Sequence, residues 1–317
     1  MRFLCTVGLG EADMLHSRLL LYIDEVARCG SIRAAGARLH VAPSAINRQL
    51  LLLEKELGEK LFERMPRGMR LTPAGELLLA HARRTMRDYR EAVSAMRDLH
   101  ALPSGEVAIA TMTGLASGVV AAATASFRAR YPEVRISIRV MSSHDILRAV
   151  QNGEADLGLG FNVPPSPQLE TCWQLATRLG AVLAPTHPLA PMETIPLARC
   201  AAHPLVFADR SMTIHGIIAD TFNEAGIKVE PAFRTNSIET MKKLAVSGDA
   251  IAFLSKFDMA EERQSGILVF RPVRDRAFSN NILALVRREG HGHGPAGLLF
   301  AEEVLGTLES VVRGPVG

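Results

Sequence analysis

The apolar positions of the first hundred residues fall at helical steps, interrupted at a few defined places. Leu15, Leu19, Ile23 and Val26 predict a helix over 15–29, ended by Gly30. Ser31 stands at an N-cap position, and Ile32, Ala35 and Leu39 continue on one face. His40, Val41 and Ala42 break the pattern. Pro43 restarts it, because its fixed φ and missing N–H suit a first helical turn. Ile46, Leu50, Leu53 and Leu57 then form an apolar stripe, with Ser44, Asn47, Arg48 and Lys55 opposite and Gly58 as the stop. Two short helices around a three-residue turn predict helix-turn-helix geometry. An ordinary helical hairpin in a soluble core is the alternative.

The next stretch changes period. Leu61-Phe62-Glu63-Arg64 and Met69-Arg70-Leu71 predict two short strands around Pro66-Arg67-Gly68. That wing carries Arg64, Arg67 and Arg70, which can reach a DNA backbone or minor groove; solvated arginines on a hairpin are the bland reading. Thr72 and Pro73 supply a cap and a first-turn proline for a helix running to about Leu99. Along it Leu79, Ala82, Met86, Tyr89, Val93 and Met96 alternate steps of three and four. A period of 3.5 predicts a seam between two long helices, against the alternative of a helix lying on its own domain. Residues 101–105 end it and mark a hinge.

From Glu106 strands and helices alternate. Strands are expected over 106–111, 135–140 and 156–161, with helices over 115–130 and 145–152, a series that calls for a parallel sheet. Residues 162–168, with three prolines, read as a crossing segment. A second series follows, with strands near 178–184, 204–208, 230–234 and 249–254 and helices at 214–225 and 237–247. The chain then returns through strands near 267–272 and 280–287 to a helix at 296–312.

Composition narrows the function classes. The 317 residues allow about two domains with cores, 48% are hydrophobic and 22% charged, and no run approaches a membrane span. Residues 1–100 hold 16 Lys+Arg against 12 Asp+Glu, whereas the remainder holds 20 against 21. The net charge of +3 is therefore +4 at the helix-turn-helix end and −1 elsewhere, which fits a phosphate partner there. Cys5, Cys29, Cys172 and Cys200 are scattered without a CxxC pair, so buried thiols in a reducing cytoplasm are expected. Residues 1–13 are too short and too soon acidic for a signal peptide. They read as a disordered extension, with Met14 an alternative start.

Candidate chemistry lies where strands end. In an open α/β sheet a ligand sits off the carboxyl ends of the strands, near helix N-termini. Those positions are Thr111 and Thr113, then Ser142 and Ser143, and in the second series Thr213, His215, Asn236 and Ser237. Hydroxyls and amides in such a set suit a small polar or anionic ligand, although each alone is an ordinary capping residue. Catalysis and cofactors find no motif. Gly114-Leu-Ala-Ser-Gly118 places its serine one position late for GxSxG, and Gly158-Leu-Gly160 lacks a third glycine. His291-Gly-His293 reads as a flexible connection and not as a metal site.

The N-terminal motifs resemble the winged helix-turn-helix of LysR-type transcriptional regulators. The matching pieces are Val-Ala-x-Ser-Ala-x-x-Arg-Gln from Val41, Leu-Glu-x-Glu-Leu-Gly from Leu53, Leu-Phe-Glu-Arg from Leu61 and Leu-Thr-x-Ala-Gly from Leu71. The commoner Ser-Gln-Pro at the second helix is Ala42-Pro43-Ser44 here. Weaker pieces continue the match: Phe-Arg-Ala-Arg-Tyr-Pro from Phe127, Asn-Gly-Glu-Ala-Asp-Leu-Gly from Asn152, Thr-His-Pro-Leu-Ala from Thr186 and Asn-Ser-Ile-Glu-Thr-Met from Asn236. Residues 15–310 are covered.

The resemblance implies a winged helix-turn-helix over 14–72 and a dimerising linker helix over 73–102. It then implies a two-lobed α/β effector domain of periplasmic-binding-protein type over 104–317. Lobe I is expected from 104–163 and 268–317, lobe II from 164–267. Pro43, Ser44, Asn47 and Arg48 would enter or flank the major groove of a dyad-symmetric operator, with Arg48 on phosphate. Thr113 and Ser143 would fall where effector carboxylates are held. A cytoplasmic regulator, dimeric or tetrameric, acting with RNA polymerase, is the implied function. The rival reading is a solute-binding protein whose N-terminal region is only structural.

Overall fold

In the computed structural model the described residues are 18–65, 68–98, 104–274, 278, 281–289 and 294–313, and they form two compact units, the first reaching to Val93 and including Asn152–Glu154, the second holding the rest. The extension, Met14, Leu15, Cys5, Arg67, residues 101–103 and His291–His293 lie outside them, as does the side chain of Met96.

The first unit begins with α1 (Arg18–Cys29), α2 (Ile32–Leu39) and α3 (Pro43–Leu57). Ser31 caps α2 by accepting from Ala34 N, a contact worth about 1 kcal/mol in typical helices. His40 takes a left-handed conformation, φ 54°, that closes α2, and Pro43 opens α3 at its first position. Then come β1 (Phe62–Met65), β2 (Gly68–Leu71) and α4 (Pro73–Asp98). The two strands pair antiparallel, Phe62 opposite Leu71. Glu54 of α3 holds this hairpin: its Oε1 accepts from Leu61 N at 2.9 Å and Phe62 N at 3.2 Å. Thr72 caps α4 through Gly75 N, and Arg83 Nε donates to Asp24 Oδ1 at 2.7 Å, tying α4 to α1.

The core of this unit joins Ile23, Val26, Ala35, Ile46, Leu50, Leu61, Phe62 and Leu79. Two expectations are corrected. Leu57 is exposed, so the stripe of α3 ends at the half-buried Leu53. Leu79 lies within this core, so the first position of the expected intermolecular seam is filled by its own chain. Ala82 is also buried, and Met86, Tyr89 and Val93 are half-buried.

The second unit starts with β3 (Gly105–Thr111) and α5 (Thr113–Leu115). A π-helical turn over Ala116–Val120 then leads into α6 (Ala121–Arg130). A single helix over 115–130 was the expectation. The wider turn still buries Val119, Val120, Ala123 and Phe127, so the inward face was read correctly but not the extra residue in the turn. β4 (Val134–Val140), α7 (Ser143–Gln151), β5 (Leu157–Phe161), β6 (Leu169–Thr177) and β7 (Leu179–Leu183) follow. Next are α8 (Leu197–Cys200), β8 (Leu205–Ala208), α9 (Thr213–Glu224), β9 (Phe233–Thr235), α10 (Ile238–Val246) and β10 (Ile251–Ser255). The last elements are α11 (Ala260–Gln264), β11 (Val269–Pro272), β12 (Asn281–Arg288) and α12 (Pro295–Arg313).

These strands build two sheets, ordered β4-β3-β5-β12-β6 and β11-β7-β10-β8-β9. Each has three parallel strands, β4-β3-β5 and β10-β8-β9, and is completed by two strands added through antiparallel pairs, β12 then β6 and β7 then β11. The lobe boundaries therefore move. β6 pairs with β12 in the first sheet, so the outgoing crossover falls at Arg178 and not at 164. β11 pairs with β7 in the second sheet, so the return falls after Val273 and not at 268. Pairing between strands far apart in the chain, from Val269 with Leu183 to Arg288 with Leu169, overrides local pattern here. Cys200 is buried, its thiol pushed up to about 12 by desolvation, whereas Cys29 and Cys172 are only half-buried. Among the described residues no helix is long and apolar enough to cross a membrane.

Candidate nucleic-acid interface and ligand cleft

The N-terminal end of α3 presents Pro43, Ser44 and Arg48 to solvent, with Asn47 half-buried on the same side. Each α3 residue sits where it does because Ile46 and Leu50, one helical turn apart, are anchored in the core. Arg64 of β1 reaches Asn47: its Nη2 donates to Oδ1 at 3.2 Å. The Asn47 amide N–H groups keep their donor capacity. Arg70 of β2 donates to Glu63 Oε2 at 2.9 Å across the hairpin, a solvent-exposed pair. So α3 and the wing present Ser44, Asn47, Arg48 and Arg64 on connected elements, with Arg70 partly committed to Glu63.

The candidate ligand residues fall into two groups. β3 and β4 run parallel with Thr111 opposite Val140, and Met141 N donates to Thr111 O, so Thr111, Thr113, Ser142 and Ser143 meet at neighbouring strand ends. Asp209 N donates to Thr235 O, which brings the end of β8, with Thr213 and His215, beside Asn236 and Ser237. The two groups differ in what is left to bind. Ser142 is a capping residue: its Oγ accepts from Asp145 N and donates to Asp145 Oδ2 at 2.6 Å. Ser237 caps α10 by accepting from Thr240 N, and His215 Nδ1 stands 2.9 Å from Ala208 O. Thr113, Thr213 and Asn236 are exposed. Ser143 is buried. Thr111 is fully buried, and its Oγ1 has no partner among the described residues.

Across the lobes α5 lies against α10. There the π-helical turn swings Ser117 toward α10, and its Oγ donates to Glu239 Oε1 at 2.8 Å. Lys242, one turn further, bridges Glu239 at 2.9 Å and Glu262 of α11 at 2.7 Å. Burial disfavours the Lys242 ammonium, but the bonds to Glu262 and Glu239 outweigh it and hold its pKa above the ordinary value. Below this pair, burial pushes the Asp258 carboxyl up to about 7, although Ser255 N and Lys242 favour its charged form. Asp258 packs against Gly114, where any Cβ would strike its carboxylate. The rim of the cleft also carries Asp145 and Asp209. The Ser142 hydroxyl and then Arg148 hold Asp145 below the usual carboxylate range, and Ser211 does the same for Asp209.

Comparison with known proteins bears on both ends of the chain. The family model for bacterial regulatory helix-turn-helix proteins of the lysR family matches residues 17–76, and the model for the LysR substrate binding domain matches residues 100–309. The chain belongs to the LysR family. It is a DNA-binding transcriptional regulator with an effector-binding domain. Among LysR relatives, a probable RuBisCO transcriptional regulator from Emiliania huxleyi is 28% identical over 284 residues, covering 87% of this chain and 90% of its own. Full-length OxyR from Pseudomonas aeruginosa superposes with a TM-score of 0.66 at 17% identity, over 94% of this chain and 95% of its own. Full-length CbnR in complex with its target DNA gives 0.60 at 23%, over 92% and 100%.

Within this LysR regulator the sequence pattern missed the inter-lobe residues. Ser117 lies in the near-miss GxSxG stretch, and Glu239 entered only as part of the Asn-Ser-Ile-Glu-Thr-Met match, whereas Lys242 was not singled out. The spacing of three between Glu239 and Lys242 is a local signal that could have found that ion pair, but nothing local marks Glu262 or Ser117 as partners.

Proposed function

We propose that this LysR regulator reads duplex DNA with the N-terminal end of α3 in the major groove and the β1–β2 wing along the adjacent backbone. What supports this reading is the bond between Arg64 and Asn47, which couples the recognition side chain to the wing. In this reading Asn47 offers its amide donors to a base edge, and Ser44 and Arg48 hold sugar or phosphate. Arg67 and Arg70 add charge at the wing. The half-buried Met86, Tyr89 and Val93 of α4 pair two copies so that two winged units span a dyad-symmetric site. CbnR, as its structure describes, binds its target DNA; the same partner is proposed here. A small polar effector enters the cleft beside Thr111, Thr113 and Ser143 and biases the arrangements of the dimer or tetramer in the cytoplasm. Output goes through RNA polymerase, and the chain acts by binding and not by catalysis.

The test is a titration of the full chain against duplex DNA at several salt concentrations. Affinity should fall steeply with salt, and Arg48→Ala should lower the slope of log K against log salt by about one. A salt-independent affinity, or an unchanged slope in the variant, rejects the assignment of α3 to the phosphate backbone.

A further inference from the structure

Away from the cleft beside α5 and α10, a cavity of about 870 Å³ opens between the crossing segments of the second unit. None of the cleft residues named above lines it. Its walls come from the end of β6 and Val312 on one lobe and from Phe270–Pro272 of β11 on the other. That volume lies in the ordinary range for small-molecule pockets, roughly 300–1,000 Å³.

Its charge is lopsided. Among the described residues that line it, Arg178, Lys256, Arg263 and Arg271 stand with one carboxylate, that of Glu193. Two of the guanidiniums are held in place by backbone carbonyls. Arg271 donates from Nε to Ala190 O at 2.7 Å and from Nη1 to Phe270 O at 3.2 Å, and Arg263 Nη1 reaches Val311 O at 3.5 Å. Lys256 stands over the Phe257 ring, 5.4 Å from its centroid, and among the described residues no ion pair joins it or Arg178 to a carboxylate. Burial, and then the neighbouring Arg263, push the Lys256 ammonium below its ordinary range. A bound anion would offset both effects by placing an opposite charge beside the ammonium. Phe270 and Pro272 add an apolar wall.

We propose that this cavity is a second ligand site, taking a small organic polyanion with two or more carboxylate or phosphate groups on a body with one apolar face. Guanidiniums fixed by carbonyls bind such groups in bidentate fashion with little rotamer entropy left to lose. The site touches both lobes at their crossovers. A polyanion there that binds two lobe arrangements unequally shifts their populations independently of the cleft.

The experiment is calorimetric titration of the full chain with citrate and with 1-naphthyl phosphate. Wild type should bind at least one of them saturably, with Kd of about 1 mM or tighter. Arg178→Gln with Lys256→Gln should weaken that binding at least about tenfold. Arg178→Glu alone, at an exposed position that folding tolerates, should do the same. Thr113→Val with Ser143→Ala, and Arg48→Gln, should leave it unchanged, which separates this site from the cleft and from the DNA-binding face. Equal binding by wild type and the Arg178 variants overturns the proposal. So does loss of binding in the cleft or Arg48 variants only, or no saturable binding of either probe by wild type.

Discussion

Arg64 on the wing donates to Asn47 on the recognition helix at 3.2 Å, and the bond joins the two elements proposed to meet DNA. The carbonyl of Asn47 is thereby occupied and its amide group oriented. The two side chains should act as a unit. On a duplex selected by the protein itself, Asn47→Ala should cost about 1–3 kcal/mol more than on unrelated DNA. Arg64→Ala should lose part of that same discrimination, because the asparagine is no longer held. A double-mutant cycle read by fluorescence anisotropy should give a coupling of roughly 0.5–3 kcal/mol. Additive losses would mean that the bond is incidental to recognition.

The long helix offers a contrast between neighbouring seam positions. Leu79 is packed in its own unit, so Leu79→Asp should destabilise that unit by several kcal/mol at any protein concentration, as buried charges do. Val93→Asp with Met86→Asp should instead dissociate the assembly while the melting point of each unit stays close to wild type. Sedimentation and thermal unfolding, run on the same samples, separate the two effects. An unchanged assembly in the Val93 variant would place α4 entirely on its own chain.

Asp258 makes the folded state pH-dependent. Its carboxyl titrates near 7 when folded and near 3.9 when unfolded, so the folded chain holds the extra proton between those values. Stability contributed by this group should therefore be highest below about pH 4 and should fall as pH rises toward 7, then level off. Asp258→Asn should remove that slope and leave the chain more stable than wild type at pH 8. Denaturant unfolding at pH 5 and pH 8 reads the difference; equal slopes in both proteins would assign the titration to another group.

The cleft can be tested through a hydroxyl that nothing else uses. Thr111 Oγ1 is buried and lacks a partner among the described residues, so Thr111→Val should leave the melting point of the unliganded chain unchanged or slightly raised. A cleft ligand at 100 times its dissociation constant should stabilise wild type by about 2.7 kcal/mol, a shift of several degrees in a metabolite screen. Thr111→Val with Ser143→Ala should diminish that shift. A lowered melting point without ligand would return both residues to structural roles.

The chain's local chemistry was enough for its N-terminal architecture. Ser31, Pro43, Gly58, Thr72 and Pro73 start or stop helices through their own backbone and capping preferences, and Ile46 and Leu50 set the buried face of α3 by helical period alone. The alternation of strands and helices after Glu106 was likewise readable, since both periods are properties of a few consecutive residues. Tertiary structure decided the rest. That β6 joins β12, that β11 joins β7, and that the lobes cross at Arg178 and again after Val273 depend on partners far away in the chain. The π-helical turn that aims Ser117 at Glu239, the Lys242 bridge to Glu262, and the burial that raises the Asp258 carboxyl against Gly114 are of the same kind. Each is an interaction between groups whose residue types carry no mark of one another, and its strength comes from water excluded only once the lobes have packed.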